Sequence, residues 1–337
     1  MRKASHGSLT VAKPSGGAHW AAERRPNERC EARVSSPACL HRDRTKLHFV
    51  AQTTPEDHAD TELSLRLHRL HEGLSGLASV IVAFSGGADS ALLLAAAVRS
   101  LGADRVAAAT AVSPSLPSAE LAAASIFAAG LGVPHWTPTT SELTRSGYRA
   151  NGSDRCHFCK AELVDVLGPL GAAEGYAHLA TGTNADDVRA GYRPGIRAAA
   201  ERGVVTPLLD AGLTKAQIRL VSRRWGLPTW NKPAAACLSS RIAYGIEITP
   251  ARLSRVGTAE RTLRDALVRA GFAVRDLRVR DLGSTARVEI DAGLVTVLER
   301  RPDLLASVRG FQSVEVDPLG FRSGSMNEGL PASQRFR

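Results

Sequence analysis

Short apolar runs alternate with helical patterns over residues 62–245. Residues 80–84 are all apolar and too few for a helix, so they predict a buried strand, with a helix over 90–101 after it. The same reading gives further strands over 106–112, 135–138 and 178–181, and helices over 118–131, 160–174 and 214–225. Strands that alternate with helices indicate a doubly wound parallel sheet, which binds ligands at the carboxyl ends of its strands.

The pattern changes at about residue 249. A long helical pattern covers 249–271, and shorter ones predict strands over 277–280, 286–290 and 313–317 and a helix over 294–301. We therefore predict an α/β domain over 62–245 and a smaller α+β domain over 249–322. Residues 1–60 and 323–337 show neither period, so we expect a disordered N-terminal extension and a disordered tail.

Composition narrows the class of protein. The chain has 337 residues, of which 44% are hydrophobic and 23% charged, as in ordinary globular proteins. Its longest apolar run, 91–98, is far shorter than the ~20 residues of a membrane span, and no secretory signal is visible, so we expect a cytoplasmic protein. The net charge of +10 suits an anionic ligand such as a nucleotide or RNA, although an arginine-rich proteome would produce the same excess.

One motif lies directly between the first predicted strand and its helix. Its residues are Ser85, Gly86, Gly87, Ala88, Asp89 and Ser90. Paired glycines let the backbone approach a phosphate, and the helix N-terminus adds free N–H donors. The serines add hydroxyl donors, and an aspartate here can position a metal ion or cap the helix. No Gly-Lys-Ser/Thr follows, so this is not a Walker A loop. The motif resembles the PP-loop of ATP pyrophosphatases, which adenylate a substrate and release pyrophosphate.

A second polar segment follows the fourth predicted strand. It contains Gly182, Thr183, Asn184, Asp186 and Asp187, and Arg193 comes soon after it. Paired carboxylates beside a nucleoside triphosphate suit Mg²⁺ held together with phosphate oxygens. An Asx turn with a helix N-cap would explain one of the two aspartates but not both. Arg193 could bring a guanidinium to a phosphate.

Three cysteines form the third constellation. Cys156 and Cys159 are spaced as a CxxC at the start of a predicted helix, and Cys237 is distant in sequence. Three thiolates leave one coordination position of a metal centre open, as catalysis requires. A structural zinc ion with His157 as fourth ligand and a redox-active dithiol are the alternatives. Cys30 and Cys39 lie in the predicted extension and are interpreted as incidental.

The fourth candidate lies in the smaller predicted domain. Strand alternation places Arg278 and Arg280 on one face, where two guanidinium groups could clamp a phosphate or carboxylate, with Glu289 nearby in sequence. A solvated edge strand is the simpler interpretation of the same pattern.

Taken together, these motifs resemble the LarE family of ATP-dependent sulfur transferases, which act in making the nickel-pincer nucleotide cofactor. The resemblance covers residues 80–289, about two thirds of the chain. Its matching segments are 85–90, 113–117, 155–160, 182–187, 193–195, 206–208 and 232–241, with Glu260, Arg278, Arg280 and Glu289 at the family's acidic and basic cluster. Asp281-Leu282-Gly283 departs from the family pattern, and residues 1–60 match nothing in it.

The resemblance implies a PP-loop ATP pyrophosphatase fold of the HUP-like kind and a homo-oligomer. It also implies that ATP and Mg²⁺ bind over the loop and that a carboxylate of a pyridinium dicarboxylate mononucleotide is adenylated. Sulfur delivered at Cys237 then displaces AMP. Family members with only this cysteine sacrifice its sulfur, whereas members with three use them to hold a [4Fe-4S] cluster. With Cys156, Cys159 and Cys237 all present, we expect the cluster type.

The implied roles can be written residue by residue. The family's catalytic positions correspond to Cys237, Asp89, Arg278, Arg280, Glu260 and Glu289, and its nucleotide site corresponds to Ser85, Gly86, Gly87, Asp89, Ser90, Gly182, Thr183, Asn184, Asp187 and Arg193. A PP-loop tRNA thiolase is the leading alternative, although no RNA-binding module is recognisable and aromatic residues make up only 5% of the chain. A non-catalytic nucleotide sensor and a glutamine-fed ligase are further alternatives, and the combined motifs favour neither.

Overall fold

A computed structural model of the chain describes residues 55–189, 196, 199–233, 236–328 and 330. Residues 59–337 belong to one compact unit that contains both sheets, and residues 1–58 belong to a second unit, of which only 55–58 are described. The proposed boundary between an α/β and an α+β domain at 245–249 therefore stays a prediction. Arg193 lies outside the described residues, as do the cysteines at positions 30 and 39.

The first part of the compact unit alternates strands and helices, as the apolar pattern predicts. Its strands are β1 (Val80–Ala83), β2 (Val106–Ala109), β3 (His135–Trp136) and β4 (His178–Thr181). Its helices are α1 (Pro55–Ser75), α2 (Ala88–Leu101), α3 (Ser118–Gly130), α4 (Ser146–Arg149), α5 (Arg155–Ala173), α6 (Ala185–Arg189), α7 (Pro207–Asp210) and α8 (Lys215–Arg224). The predicted α/β class is thus confirmed.

The four strands form one parallel sheet in the order β3-β2-β1-β4. Because β2 and β4 lie on opposite sides of β1, the winding direction reverses between β1 and β4. A crevice for ligands opens at such a reversal, outside the carboxyl ends of the strands. Here the loops that leave β1 and β4 are those of the Ser85–Ser90 and Gly182–Asp187 motifs.

The buried helix α2 holds this half together. Its residues from Ser90 to Ala97 are all buried against β1, β2, α1 and α8, which explains why this helix is apolar on every side. At its N-terminal end α2 passes so close to the loop after β4 that a Cβ placed on Gly182 would lie 2.8 Å from the backbone nitrogen of Ser90. The loops after β1 and β4 are therefore locked to each other by backbone contact.

The second part contains a mixed three-stranded sheet. Its elements are the helix α9 (Pro250–Arg269), the strands β5 (Leu277–Asp281), β6 (Thr285–Ile290) and β7 (Ser313–Val316), and the short helices α10 (Val295–Glu299) and α11 (Pro302–Leu305). β6 is antiparallel to β5 and parallel to β7. Leu263 and Leu267 of α9 pack on Val279 and Val288 of the sheet. This is the small α+β arrangement that the sequence predicts.

Two regions differ from expectation. The helix α1 was not predicted, yet its Leu63, Leu70 and Leu74 are buried in the main core. It begins at Pro55, inside the range that we expected to be an extension. Residues 323–328, expected to belong to a disordered tail, form a turn and a 3₁₀ helix instead, and the Ser325 hydroxyl bonds to both Arg280 and Glu289.

Helices of membrane-spanning length and hydropathy are absent from the described part of the chain.

We predict that Gly182→Ala lowers the free energy of unfolding by about 1–3 kcal/mol, because the added methyl overlaps the backbone of α2. Chemical denaturation would measure the change. Gly73→Ala is the matched control, since its added Cβ meets nothing within 4 Å outside its own helix and the site is helical. It should be neutral or stabilising by up to about 1 kcal/mol. Equal stability of both variants would contradict the backbone contact.

A second prediction concerns Asp281, whose fully buried carboxylate accepts hydrogen bonds from Arg252, Arg255 and the Gly283 N–H. Asp281→Ala leaves two guanidinium groups without their anion, though both are partly solvated. We expect a loss of about 2–3 kcal/mol in denaturant unfolding. Glu315→Gln, which breaks an exposed pair with Arg287, should cost less than about 0.5 kcal/mol. If both variants lose a similar free energy of unfolding, the burial of Asp281 adds nothing to the stability that its ion pairs provide.

Candidate active site

A cavity of about 370 Å³ opens at the carboxyl ends of β1, β2 and β4. Predicted site residues that line it are Ser85, Asp89, Ser90, Gly182, Thr183, Asp187, Cys159 and Cys237. It lies where the winding of the sheet reverses, so the topology and the motif point to the same place. We call it the nucleotide cavity, because the resemblance places ATP there.

The loop after β1 is shaped by its glycines and serines. Gly86 has a φ of +70°, which favours glycine, and its carbonyl accepts a hydrogen bond from the Lys232 ammonium at 3.0 Å. The hydroxyls of Ser85 and Ser90 lie 3.1 Å apart. Ser90 also donates to the Gly87 carbonyl at 3.2 Å, so the loop closes on itself. Gly86 and Gly87 thus shape the loop, while Ser85 and Ser90 face the cavity.

The two acidic positions after β4 have different surroundings. Asp186 accepts a hydrogen bond from the Lys215 backbone N–H at 2.8 Å, which ties it to the start of α8. Asp187 lines the cavity and pairs with the Lys215 ammonium at 3.2 Å. The fully buried Asn184 forms the Asx turn by accepting from the N–H groups of both aspartates. Only Asp187 of the predicted pair therefore reaches the cavity.

Asp89 stands opposite Asp187 across the crevice. Its carboxylate accepts a hydrogen bond from the Asn184 side-chain amide at 3.2 Å. Burial raises the pKa of Asp89, the nearby Lys215 opposes this shift, and the negative charge of Asp187 adds to it. The Lys215 ammonium therefore already offsets part of the repulsion between the two carboxylates.

A second cavity, of about 510 Å³, adjoins the first. Cys159, Lys160, Leu163, Thr183, Asp187 and Cys237 line both cavities. The second one alone is lined by Cys156, Arg155, Arg278 and Arg280, together with Tyr148 and Tyr244. The structure thus brings the three predicted cysteines and the two predicted arginines to one space. We call it the arginine cavity.

The three thiols differ in burial. Cys156 is exposed, whereas Cys159 and Cys237 are partly buried. Burial raises the pKa of Cys159, and the neighbouring Cys237 raises it further. Over the described ranges, no group of three or more His, Cys, Asp or Glu side chains is arranged to hold a metal ion.

Cys237 owes its position to contacts of the segment around it. The Leu238 N–H donates to the Ser115 carbonyl at 2.8 Å, which joins this segment to the loop after β2. Arg241 donates to the Cys237 carbonyl at 3.2 Å and pairs with Glu260 at 2.8 Å. Glu260 also accepts from the Val279 N–H. The structure therefore places Glu260 behind Cys237 as the partner of Arg241, and its predicted catalytic role stays a prediction.

The paired arginines are buried, so the alternative of a solvated edge strand is wrong. Arg280 donates to Glu289 at 2.6 Å and to the Ser240 carbonyl at 3.1 Å, and its buried Nε has no hydrogen-bond partner among the described residues. Burial lowers the pKa of Arg278 to about 10, and the adjacent positive charges of Arg241 and Arg280 contribute. Two guanidinium groups therefore line this end of the cavity, which suits an anionic ligand.

Sequence reasoning missed three groups that belong to this site. Lys160 lines both cavities, burial lowers its pKa, and Cys159 and Asp187 oppose that shift. Its position four residues after Cys156 on a helix was a usable signal, because that spacing shares a face. Glu142 is buried beside the nucleotide cavity and accepts from Ser115 and Thr140. No pattern in the sequence pointed to Glu142. The third group is Arg155, the first residue of α5, which lines the arginine cavity.

No family model matches the chain. An uncharacterised protein of Synechocystis sp. is 41% identical over 273 residues, which is 80% of this chain and 99% of that protein. The pyridinium-3,5-bisthiocarboxylic acid mononucleotide synthase of Lactiplantibacillus plantarum is 33% identical over 275 residues, which is 81% of this chain and 97% of that protein.

The second relative is more than 30% identical and covers about four fifths of this chain and nearly all of its own length. The chain therefore belongs to the family of the pyridinium-3,5-bisthiocarboxylic acid mononucleotide synthases, the LarE family.

Proposed function

We propose that the chain is an ATP-dependent sulfur transferase of nickel-pincer nucleotide cofactor biosynthesis. It adenylates a carboxylate of a pyridinium dicarboxylate mononucleotide and replaces AMP with sulfur. One observation carries the proposal: the nucleotide cavity and the arginine cavity meet at Cys237. A nucleotide bound in one and an anionic substrate bound in the other would present their reacting groups at a sulfur atom.

The first step requires a carboxylate oxygen to attack the α-phosphorus of ATP, with pyrophosphate as the leaving group. The loop over Ser85–Ser90 has the glycines and hydroxyls expected of a PP-loop, and it sits at the N-terminus of the buried helix α2. Asp89 and Asp187 would hold Mg²⁺ with the phosphate oxygens, because both carboxylates face the same cavity and Mg²⁺ prefers oxygen ligands. Lys160 at the junction would add positive charge where the two anions meet.

In the second step, a sulfur nucleophile at Cys237 attacks the carbonyl carbon of the acyl adenylate. The C–O bond to AMP breaks, AMP leaves with the bonding electrons, and a thiocarboxylate remains. A carboxylate is a poor electrophile, so this exchange depends on the prior adenylation. Arg241 and Ser115 would keep Cys237 in place during the exchange. Arg241 donates to the Cys237 carbonyl, and the Ser115 carbonyl accepts from the N–H of the next residue, Leu238.

The three thiols suit a [4Fe-4S] cluster by their chemistry. All three line one cavity. Burial and the neighbouring Cys237 raise the pKa of Cys159, so bound iron ions would be needed to stabilise its thiolate. Cys156, Cys159 and Cys237 would hold the cluster, and the cluster would supply the sulfur that is transferred. Under this proposal the enzyme turns over repeatedly instead of consuming Cys237.

The activity test uses the full chain, purified anaerobically, with ATP, Mg²⁺ and the pyridinium dicarboxylate mononucleotide. We expect AMP, pyrophosphate and thiocarboxylate to form. Cys237→Ser should retain ATP–pyrophosphate exchange and lose thiocarboxylate at least 100-fold, because only the second step needs the sulfur. Cys39→Ser is the matched control and should retain both. AMP release that depends on tRNA and not on the mononucleotide would overturn the proposal in favour of a tRNA thiolase.

Metal analysis tests the sulfur source separately. Anaerobically prepared protein should hold about four iron atoms and at least four sulfides per chain. Cys156→Ala and Cys159→Ala should each lose most of this iron. Stoichiometric zinc without iron would contradict the cluster. A mass decrease of about 34 Da at Cys237 after one turnover would instead indicate the sacrificial route, in which the thiolate sulfur itself is transferred.

A further inference from the structure

The arginine cavity contains a further cation, at the start of the 155–160 segment. Arg155, the first residue of α5, is 6% exposed and lines this cavity but not the nucleotide cavity. One of its terminal nitrogens donates to the Asn151 side-chain oxygen at 2.6 Å and to the Ser239 carbonyl at 3.0 Å. Both acceptors are neutral. In the portion of the chain that the structure describes, no carboxylate forms an ion pair with Arg155.

The geometry of this arginine is strongly fixed. Asn151 is fully buried, has a φ of +54°, and is the one described non-glycine residue with positive φ. Its amide nitrogen donates to the carbonyls of Ile242, Ala243 and Ile246. Asparagine tolerates the left-handed conformation better than most residues, and here every polar atom of its side chain is hydrogen-bonded. Here it orients the guanidinium, while the ring of Tyr244 lies 5.5 Å from it on another side.

A buried guanidinium without a carboxylate partner is unfavourable unless an anion is supplied. The ionisable neighbours that act on its charge are the thiols of Cys237 and Cys156 and the phenols of Tyr244 and Tyr148. Thiolates that hold a cluster would offset part of this charge, and an anionic ligand in the cavity would offset the rest. Only one of the guanidinium nitrogens has described hydrogen bonds, so the other donors are available to a ligand in the cavity. Arg155 is therefore placed to bind an anion next to the sulfur.

The position of Arg155 indicates which anionic group of the substrate it binds, and this step rests on the proposed function. The carboxylate that reacts must reach the junction with the nucleotide cavity, where Lys160 and Cys237 lie. Arg155 does not line the nucleotide cavity. The substrate has two further anionic groups, a phosphate and a second carboxylate. The paired arginines at 278 and 280 match the doubly charged phosphate, which leaves the single guanidinium of Arg155 for the singly charged carboxylate.

We propose that Arg155, oriented by Asn151, binds the carboxylate that is not being adenylated. The site then selects a pyridinium ring with two carboxylates over a ring with one. After the first exchange, the same guanidinium binds the new thiocarboxylate while the remaining carboxylate is at the junction. Arg155 is thus a specificity-determining residue, and Asn151 is a positioning residue.

The experiment compares two ligands on the full chain: the pyridinium 3,5-dicarboxylate mononucleotide and the pyridinium 3-carboxylate mononucleotide. KM and kcat are measured for each in ATP–pyrophosphate exchange. The wild type should prefer the dicarboxylate by about 10- to 100-fold in KM, the value of a charge-assisted hydrogen bond to a buried cation. Arg155→Gln should reduce this preference to about twofold or less, because the KM for the dicarboxylate should rise more than the KM for the monocarboxylate.

Three further variants complete the test. Arg149→Gln removes an exposed cation on the neighbouring helix α4 and should retain the full preference. Asn151→Ala should lose part of the preference, because it frees Arg155 to adopt other orientations. Arg155→Lys retains the charge without the planar guanidinium and should give an intermediate preference. It replaces Arg155→Gln in the test if that variant does not fold. Thermal unfolding and ATP binding of each variant separate misfolding from lost selectivity.

The outcomes separate this inference from the proposed function. If Arg155→Gln weakens both mononucleotides equally, or retains the wild-type preference, Arg155 does not bind the second carboxylate and the inference is overturned. The sulfur transferase proposal stands in both cases, because the wild type still activates the dicarboxylate. If the wild type activates neither mononucleotide, the proposed function fails and the inference fails with it.

Discussion

The ion pair between Arg241 and Glu260 is the contact on which the candidate site depends. Both nitrogens on one side of the guanidinium bind the carboxylate, at 2.8 and 3.2 Å, and the third binds the carbonyls of Ala236 and Cys237. Glu260 stands on α9 and also accepts from the backbone of β5. One nearly buried pair therefore fixes the segment of Cys237 to the helix and sheet that carry Arg278 and Arg280. An ion pair this buried is stabilising only with its full set of hydrogen bonds, and here the set is complete.

A second constraint is the reversal of the parallel sheet. The loops after β1 and β4 leave the sheet side by side, and close contact between Gly182 and the start of α2 holds them together. The resulting crevice is bounded by Asp89 and Asp187. Helix α5 places Cys159 and Lys160 where the two cavities meet. The junction of the two cavities therefore results from the order of the strands and the placement of one helix.

Charge is distributed unevenly over the two cavities. Asp89 and Glu142 line only the nucleotide cavity, and three arginines line only the other, while Asp187 and Lys160 line both. The three arginines are Arg155, Arg278 and Arg280. This arrangement suits a metal-bound triphosphate on one side and a multiply charged anion on the other. The overall net charge of +10 gave no hint of this division, because it sums over the whole surface.

The sequence alone determined the strands of both sheets, most of the helices and the loops that carry the nucleotide motif, because apolar period and glycine placement are local properties. It also indicated the three cysteines and the paired arginines. Tertiary structure decided which of the predicted groups share a space. It turned Asp186 toward α8, placed Glu260 behind Cys237, and brought residues 323–328 over Arg280. It also revealed Arg155, Lys160 and Glu142 as parts of the site. These results depend on contacts between residues distant in sequence and on burial, and neither is encoded in a local pattern of residue types.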